Sequence, residues 1–127
     1  MQTLDQRRAE YAWECVRDAA TEKYVNLVKG APALIMNSGL MQTLAYYNEK
    51  GKTHHKTLLD HLLGWLCDGG AVLSSAAEFA AAMQDLYEGD SATYRRATEE
   101  ALALLRWLRQ LAPAAERGRR TRTGTAP

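Results

Sequence analysis

Long apolar runs are missing from this sequence: nothing approaches the roughly eighteen uninterrupted apolar residues of a membrane span. The N-terminal segment also carries charges where a secretory leader needs an apolar block. The chain therefore reads as cytoplasmic, with no membrane partner. Cysteine is scarce. Cys15 and Cys67 are the only two and lack CxxC spacing, which excludes a zinc knuckle and a disulfide scaffold and leaves two thiols packed as small hydrophobes. An excess of one charge sign is missing too, since 16 Lys and Arg stand against 15 Asp and Glu. That balance disfavours a strongly basic nucleic-acid binder working alone, so any contact with a polyanion has to come from a local patch.

What the sequence does contain is helical periodicity. With 127 residues, 46% of them hydrophobic, there is material for one domain with a real core. Apolar residues recur at three and four, and no stretch alternates long enough for a half-buried strand. We read an all-α, compact, single-domain bundle of about six helices over residues 1–112, followed by a disordered, Arg-rich tail over 113–127. The tail has no large apolar side chain to offset the entropy of ordering. Ahead of that boundary lie twelve basic and fourteen acidic residues, a net −2, and behind it four arginines against Glu116, a net +3.

Helix one opens at Thr3 with Gln6 at capping-box spacing, carries Ala9, Ala12, Trp13, Val16 and Ala20 on one stripe, and is expected to reach about Ala20. Leu4, Tyr11 and Cys15 form a second, narrower line suited to a partner or to the core. A second helix from about Glu22 to Met36 is expected to kink or break at Gly30 and Pro32. Asn37, Ser38 and Gly39 turn the chain into a third, which ends before Gly51. Thr53 is positioned to cap a fourth helix with Leu58, Leu59, Leu62, Leu63 and Leu66 on a wide face. Ser75 with Glu78 repeats the capping-box signature before Phe79, and Asp90 caps a last helix carrying Ala97, Ala101, Leu104, Leu105, Leu108 and Leu111.

Reactive chemistry finds little support. His54 and His61 stand roughly 10 Å apart along a helix, too far to share an ion, and no HExxH pair exists, so His54, His55 and His61 read as surface histidines. Ser38, Ser74, Ser75 and Ser91 fall where caps and turns are expected. The pairs Glu10 with Glu14 and Glu99 with Glu100 read as exposed partners of Arg7, Arg17 and Arg95. Gly69-Gly70 lacks the Lys-Ser/Thr ending of a phosphate loop. No cofactor is expected.

Surface charge remains. Lys50, Lys52 and Lys56 cluster with His54 and His55, opposed only by Glu49. Arg95, Arg106 and Arg109 share one face of the last helix, with Glu99 intruding. Arg17, Lys23 and Lys29 add positive positions around the first interhelix junction, where long side chains can reach phosphates without reading bases. These nine are the candidate RNA-backbone contacts, each of which also reads as a solvated charge on a helix face.

The stretch Tyr24 to Tyr47, with Pro32-Ala33-Leu34-Ile35, Asn37-Ser38-Gly39-Leu40 and Gln42-Thr43-Leu44-Ala45-Tyr46, resembles the small helical subunit family of type III-B CRISPR effector complexes, the fifth subunit of the Cmr assembly. Arg8-Ala9, Tyr11-Ala12 and the leucine-rich run from His55 to Leu66 are similar to the same pattern, and the resemblance spans residues 4 to about 112. It implies a non-catalytic protein that stacks head-to-tail with copies of itself into a minor filament, along guide RNA and target RNA. Its partners would be the other Cmr subunits, which carry the cleavage in antiviral defence. The family pattern does not mark RNA-contacting residues, and the Arg-rich tail departs from it. A helical adaptor with no nucleic-acid contact is the alternative, and a small bundle enzyme or metalloprotein a further rival.

Overall fold

In a computed structural model, which describes residues 1–70 and 72–122, the chain folds into six α-helices and one π-helical turn, with no strand among the described residues. Helix α1 (Leu4–Val16) begins at a full capping box. The Gln6 amide donates to Thr3 Oγ1 at 3.0 Å, and the Thr3 amide to Gln6 Oε1 at 2.7 Å. The helix ends a turn earlier than its apolar stripe suggests, because Arg17–Ala19 form a turn that delivers buried Ala20 to the core. Trp13 leaves the expected stripe and is 42% exposed.

Helix α2 (Glu22–Ser38) starts at Thr21, whose hydroxyl accepts from the Tyr24 amide. It runs without a break through Gly30 and Pro32, so of the kink or break expected there the break does not occur. Burial of Val28, Ala31 and Ile35 on one face holds it together across the missing N–H. Gly39, at φ 87°, then turns the chain directly into α3 (Leu40–Lys50), and Gly51, at φ 66°, closes that helix in the left-handed region.

Helix α4 (Thr53–Gly64) has Lys52 at its cap position and no side-chain cap, so Thr53 begins the helix without capping it. It passes into the π-helical turn Trp65–Gly69. Glu78 occupies the cap position of α5 (Phe79–Glu88) without a side-chain bond, so the expected Ser75/Glu78 box does not form. The amides of Ser74 and Ser75 donate instead to Asp85 Oδ2, at 2.8 and 3.2 Å. Asp90 does cap α6 (Ser91–Arg122), accepting from the Thr93 amide at 2.8 Å.

Helix α6 is the backbone of the bundle, packing chiefly on α1 and α2, while α4 lies against α2 and α3. Leu58, Leu62, Leu63 and Leu66 share one core with Leu104, Leu105 and Leu108, and Tyr24, Tyr47 and Trp65 are among its largest buried side chains. Each such burial contributes about 2 kcal/mol. Helix α6 runs past the expected boundary. The helix does not stop near Ala112 but continues through Pro113 to Arg122, so residues 113–122 of the expected tail are helical. Ala112 and Ala115 are buried, and Arg119 Nη1 donates to the Ala20 carbonyl at the α1–α2 turn. Small residues packing closely, with a charged hydrogen bond, supply what large apolar side chains do not. Residues 123–127 lie outside the described residues.

Candidate nucleic-acid interface

The packing of α2 on α4 brings together lysines that the sequence separates. Lys23, in the first turn of α2, and Lys52, at the cap of α4, line one open groove of about 810 Å³ with Glu22, Asn26 and His54. Both helices present their N-terminal ends to it, and α4 does so without a side-chain cap. The partial positive charge of two helix ends therefore adds to that of the lysines. Electrostatics at His54 register the crowding: burial and the neighbouring Lys23 and Lys52 hold its pKa below the ordinary imidazole value. His55 is held down for the same reasons, by burial and then by His54, Lys50 and Lys52.

Lys50 stands beside the groove with its Nζ 5.5 Å from the centroid of the Tyr46 ring. Lys56 is exposed one turn into α4, and Lys29 is exposed on α2 about 9 Å along the axis from Lys23, outside the groove lining. Arg17 is exposed and drawn to Asp18, 3.4 Å away. The arginines of α6 fall into separate surroundings. Arg95 faces a groove shared with Asp90, Tyr94 and Glu99, whereas Arg106 lines another with Arg8, Arg96, Glu99 and Glu100. Arg109 is exposed. Carboxylates thus break up that stripe more than the single Glu99 expected, and the lysine-lined groove is the more coherent positive surface.

Several polar residues that appeared superficial in the sequence are structural. Glu100 is not an exposed partner of Arg95: it takes two bonds from Arg8, at 2.6 and 2.9 Å, and one from Trp65 Nε1 at 2.9 Å. The Arg8 guanidinium lowers its pKa. His61 is not a surface histidine either. Its Nδ1 is hydrogen-bonded to Tyr24 Oη at 2.7 Å, its carbonyl accepts from Tyr11 Oη at 2.7 Å, and burial pushes its pKa down to about 4. His55 is 8% exposed, and its Nδ1 has no hydrogen-bond partner. Tertiary packing creates these contacts, and no local spacing announces them.

Chemically, these arrangements hold the fold together. Both cysteines are free, with Cys67 buried and Cys15 half-buried. Burial raises both thiols, Cys15 to about 11, so neither is an activated nucleophile at neutral pH. Among the described residues, no three His, Cys, Asp or Glu side chains converge on a metal-sized site. No described helix is long and apolar enough to cross a membrane.

Comparison with known proteins places this architecture. The family model for CRISPR-associated protein (Cas_Cmr5) matches residues 4–115. A relative named CRISPR system Cmr subunit Cmr5, from Thermus thermophilus, is 34% identical over 118 residues, covering 90% of this chain and 96% of that protein. Its namesake from Thermotoga maritima is 30% identical over 117 residues, covering 87% and 82%. The crystal structure of a CRISPR-associated Cmr5 family protein from Thermus thermophilus superposes with a TM-score of 0.75 at 29% identity, covering 91% of this chain and 98% of that one.

Proposed function

The chain belongs to the Cas_Cmr5 family of CRISPR-associated proteins, and from that membership we propose that it is the small, non-catalytic subunit of a type III-B Cmr effector complex in the cytoplasm. In this role it stacks head-to-tail with copies of itself in a minor filament beside guide RNA and target RNA. It supports target-RNA binding, and cleavage by other subunits, in antiviral defence. A domain of nearly balanced charge binds RNA weakly by itself, with dissociation constants on the order of 10⁻⁴ to 10⁻⁶ M for non-specific contact. Repetition along a filament multiplies such a contact, and a head-to-tail interface leaves the array open to further copies.

The observation that carries the RNA contact is the groove where Lys23 and Lys52 meet between two helix N-termini. Lys50 and Lys56 extend it, while Arg17, Lys29, Arg95, Arg106 and Arg109 are secondary candidates. Reversing Lys50, Lys52 and Lys56 to Glu in the reconstituted complex tests it. Target-RNA retention is expected to fall and to become less salt-dependent. Unchanged retention would favour the adaptor reading, in which the subunit only bridges proteins.

A further inference from the structure

Helix α3 buries Leu40, Thr43, Leu44 and Tyr47 on one face. Tyr46 lies off that face and is 44% exposed, so the core does not account for a tyrosine there. Its surroundings are cationic and aromatic. Lys50 Nζ lies over the ring, 5.5 Å from its centroid. The His55 ring stands at 83° to it with centroids 6.4 Å apart, and His54 lies 4.3 Å beyond His55. Lys52 follows on the short connection to α4, and the buried, unpartnered His55 Nδ1 adds an unmet polar group beside the ring.

We propose that Tyr46 is a stacking platform for one unpaired RNA base, with Lys50 and Lys52 engaging phosphates of the same strand. The proposal rests on the reading of this subunit as an RNA contact and names the form of RNA it takes. An exposed aromatic flanked by mobile cations matches the two surfaces a single strand offers, a free base face and a charged backbone. A duplex offers only the second, because its bases are already stacked on each other. The exposed lysine over the ring is a weak placeholder: its flexible stem lets the ammonium move to a phosphate as a base takes its place.

The test uses the full chain at low salt with a short single-stranded RNA carrying one 2-aminopurine, whose fluorescence is quenched on stacking. Tyr46→Phe is expected to keep both affinity and quenching. Tyr46→Ala is expected to lose about tenfold in affinity, and the quenching, with an unchanged salt slope, since no phosphate contact is removed. Lys50→Gln with Lys52→Gln is expected to weaken binding and flatten the slope by about 1.4, roughly 0.7 per phosphate on a single strand. Wild-type binding by Tyr46→Ala would overturn the platform, and continued sensitivity to the lysine pair would leave the RNA contact standing. Binding that neither change alters, or no binding by the wild type, would remove both. Thermal melting of each variant separates loss of contact from loss of fold.

Discussion

Acidification tests whether His61 is packed as described. In the native chain this imidazole projects from α4 against α2, with Tyr24 Oη on its Nδ1 and the Tyr24 ring edge-on at 5.4 Å. Burial lowers its pKa from 6.5 to about 4, while Asp60 nearby opposes that only in part. The unfolded chain therefore takes up the proton first. His61 supports the native state fully above about pH 6.5, and that support drains away as pH falls towards 4. The ceiling is about 3 kcal/mol, of which about 2 kcal/mol is lost between pH 7 and pH 5. His54 and His55, also held below their ordinary values, push the same way. The His61→Gln variant keeps a hydrogen-bonding group for Tyr24 without titrating, and so isolates the His61 share. Urea melts at both pH values should show the wild type losing about 2 kcal/mol more than His61→Gln. Parallel losses in the two proteins, or an NMR titration placing the His61 pKa above 6, would refute the packing argument.

Other expectations follow from contacts between distant segments. Glu100→Gln should cost about 2 kcal/mol in chemical denaturation, because it removes the charge opposite Arg8 while leaving an acceptor for Trp65; Glu100→Leu, which removes both, should cost more. Gly69→Ala would set a methyl group 2.5 Å from Trp65 Cε3, and the overpacking should cost about 2 kcal/mol with a change in tryptophan fluorescence. Deleting residues 113–127, or making Arg119→Ala alone, should lower the melting temperature, since Ala115 is 3% exposed and Arg119 holds the Ala20 carbonyl. An unchanged melting curve would mean that the last turns of α6 add nothing.

The helices were legible because their apolar residues keep a helical period, and the Thr3–Gln6 and Asp90 caps could be read from residue type and spacing. What escaped was decided at long range. Pro32 stays within α2 because neighbouring burial outweighs one lost hydrogen bond. The C-terminal part of α6 packs through alanines, which no hydropathy window distinguishes from an idle tail. Each lysine of the groove could be seen in the sequence, but the meeting of Lys23 with Lys52 depends on how α2 lies across α4. Arg8 and Glu100 stand far apart in the chain, so their ion pair leaves no local signature, and nothing in the sequence distinguishes exposed Glu99 from half-buried Glu100.

The pairing of α1 with α6 has a consequence for biosynthesis. On a ribosome, α1 is made before α2 to α5 and well before α6, its principal packing partner. Until then the face of α1 that packs on α6 lacks its cover, and only the contacts of Tyr11 with His61 and Trp65 are there to hold the helix. The ion pair of Arg8 with Glu100 closes only once α6 has been made.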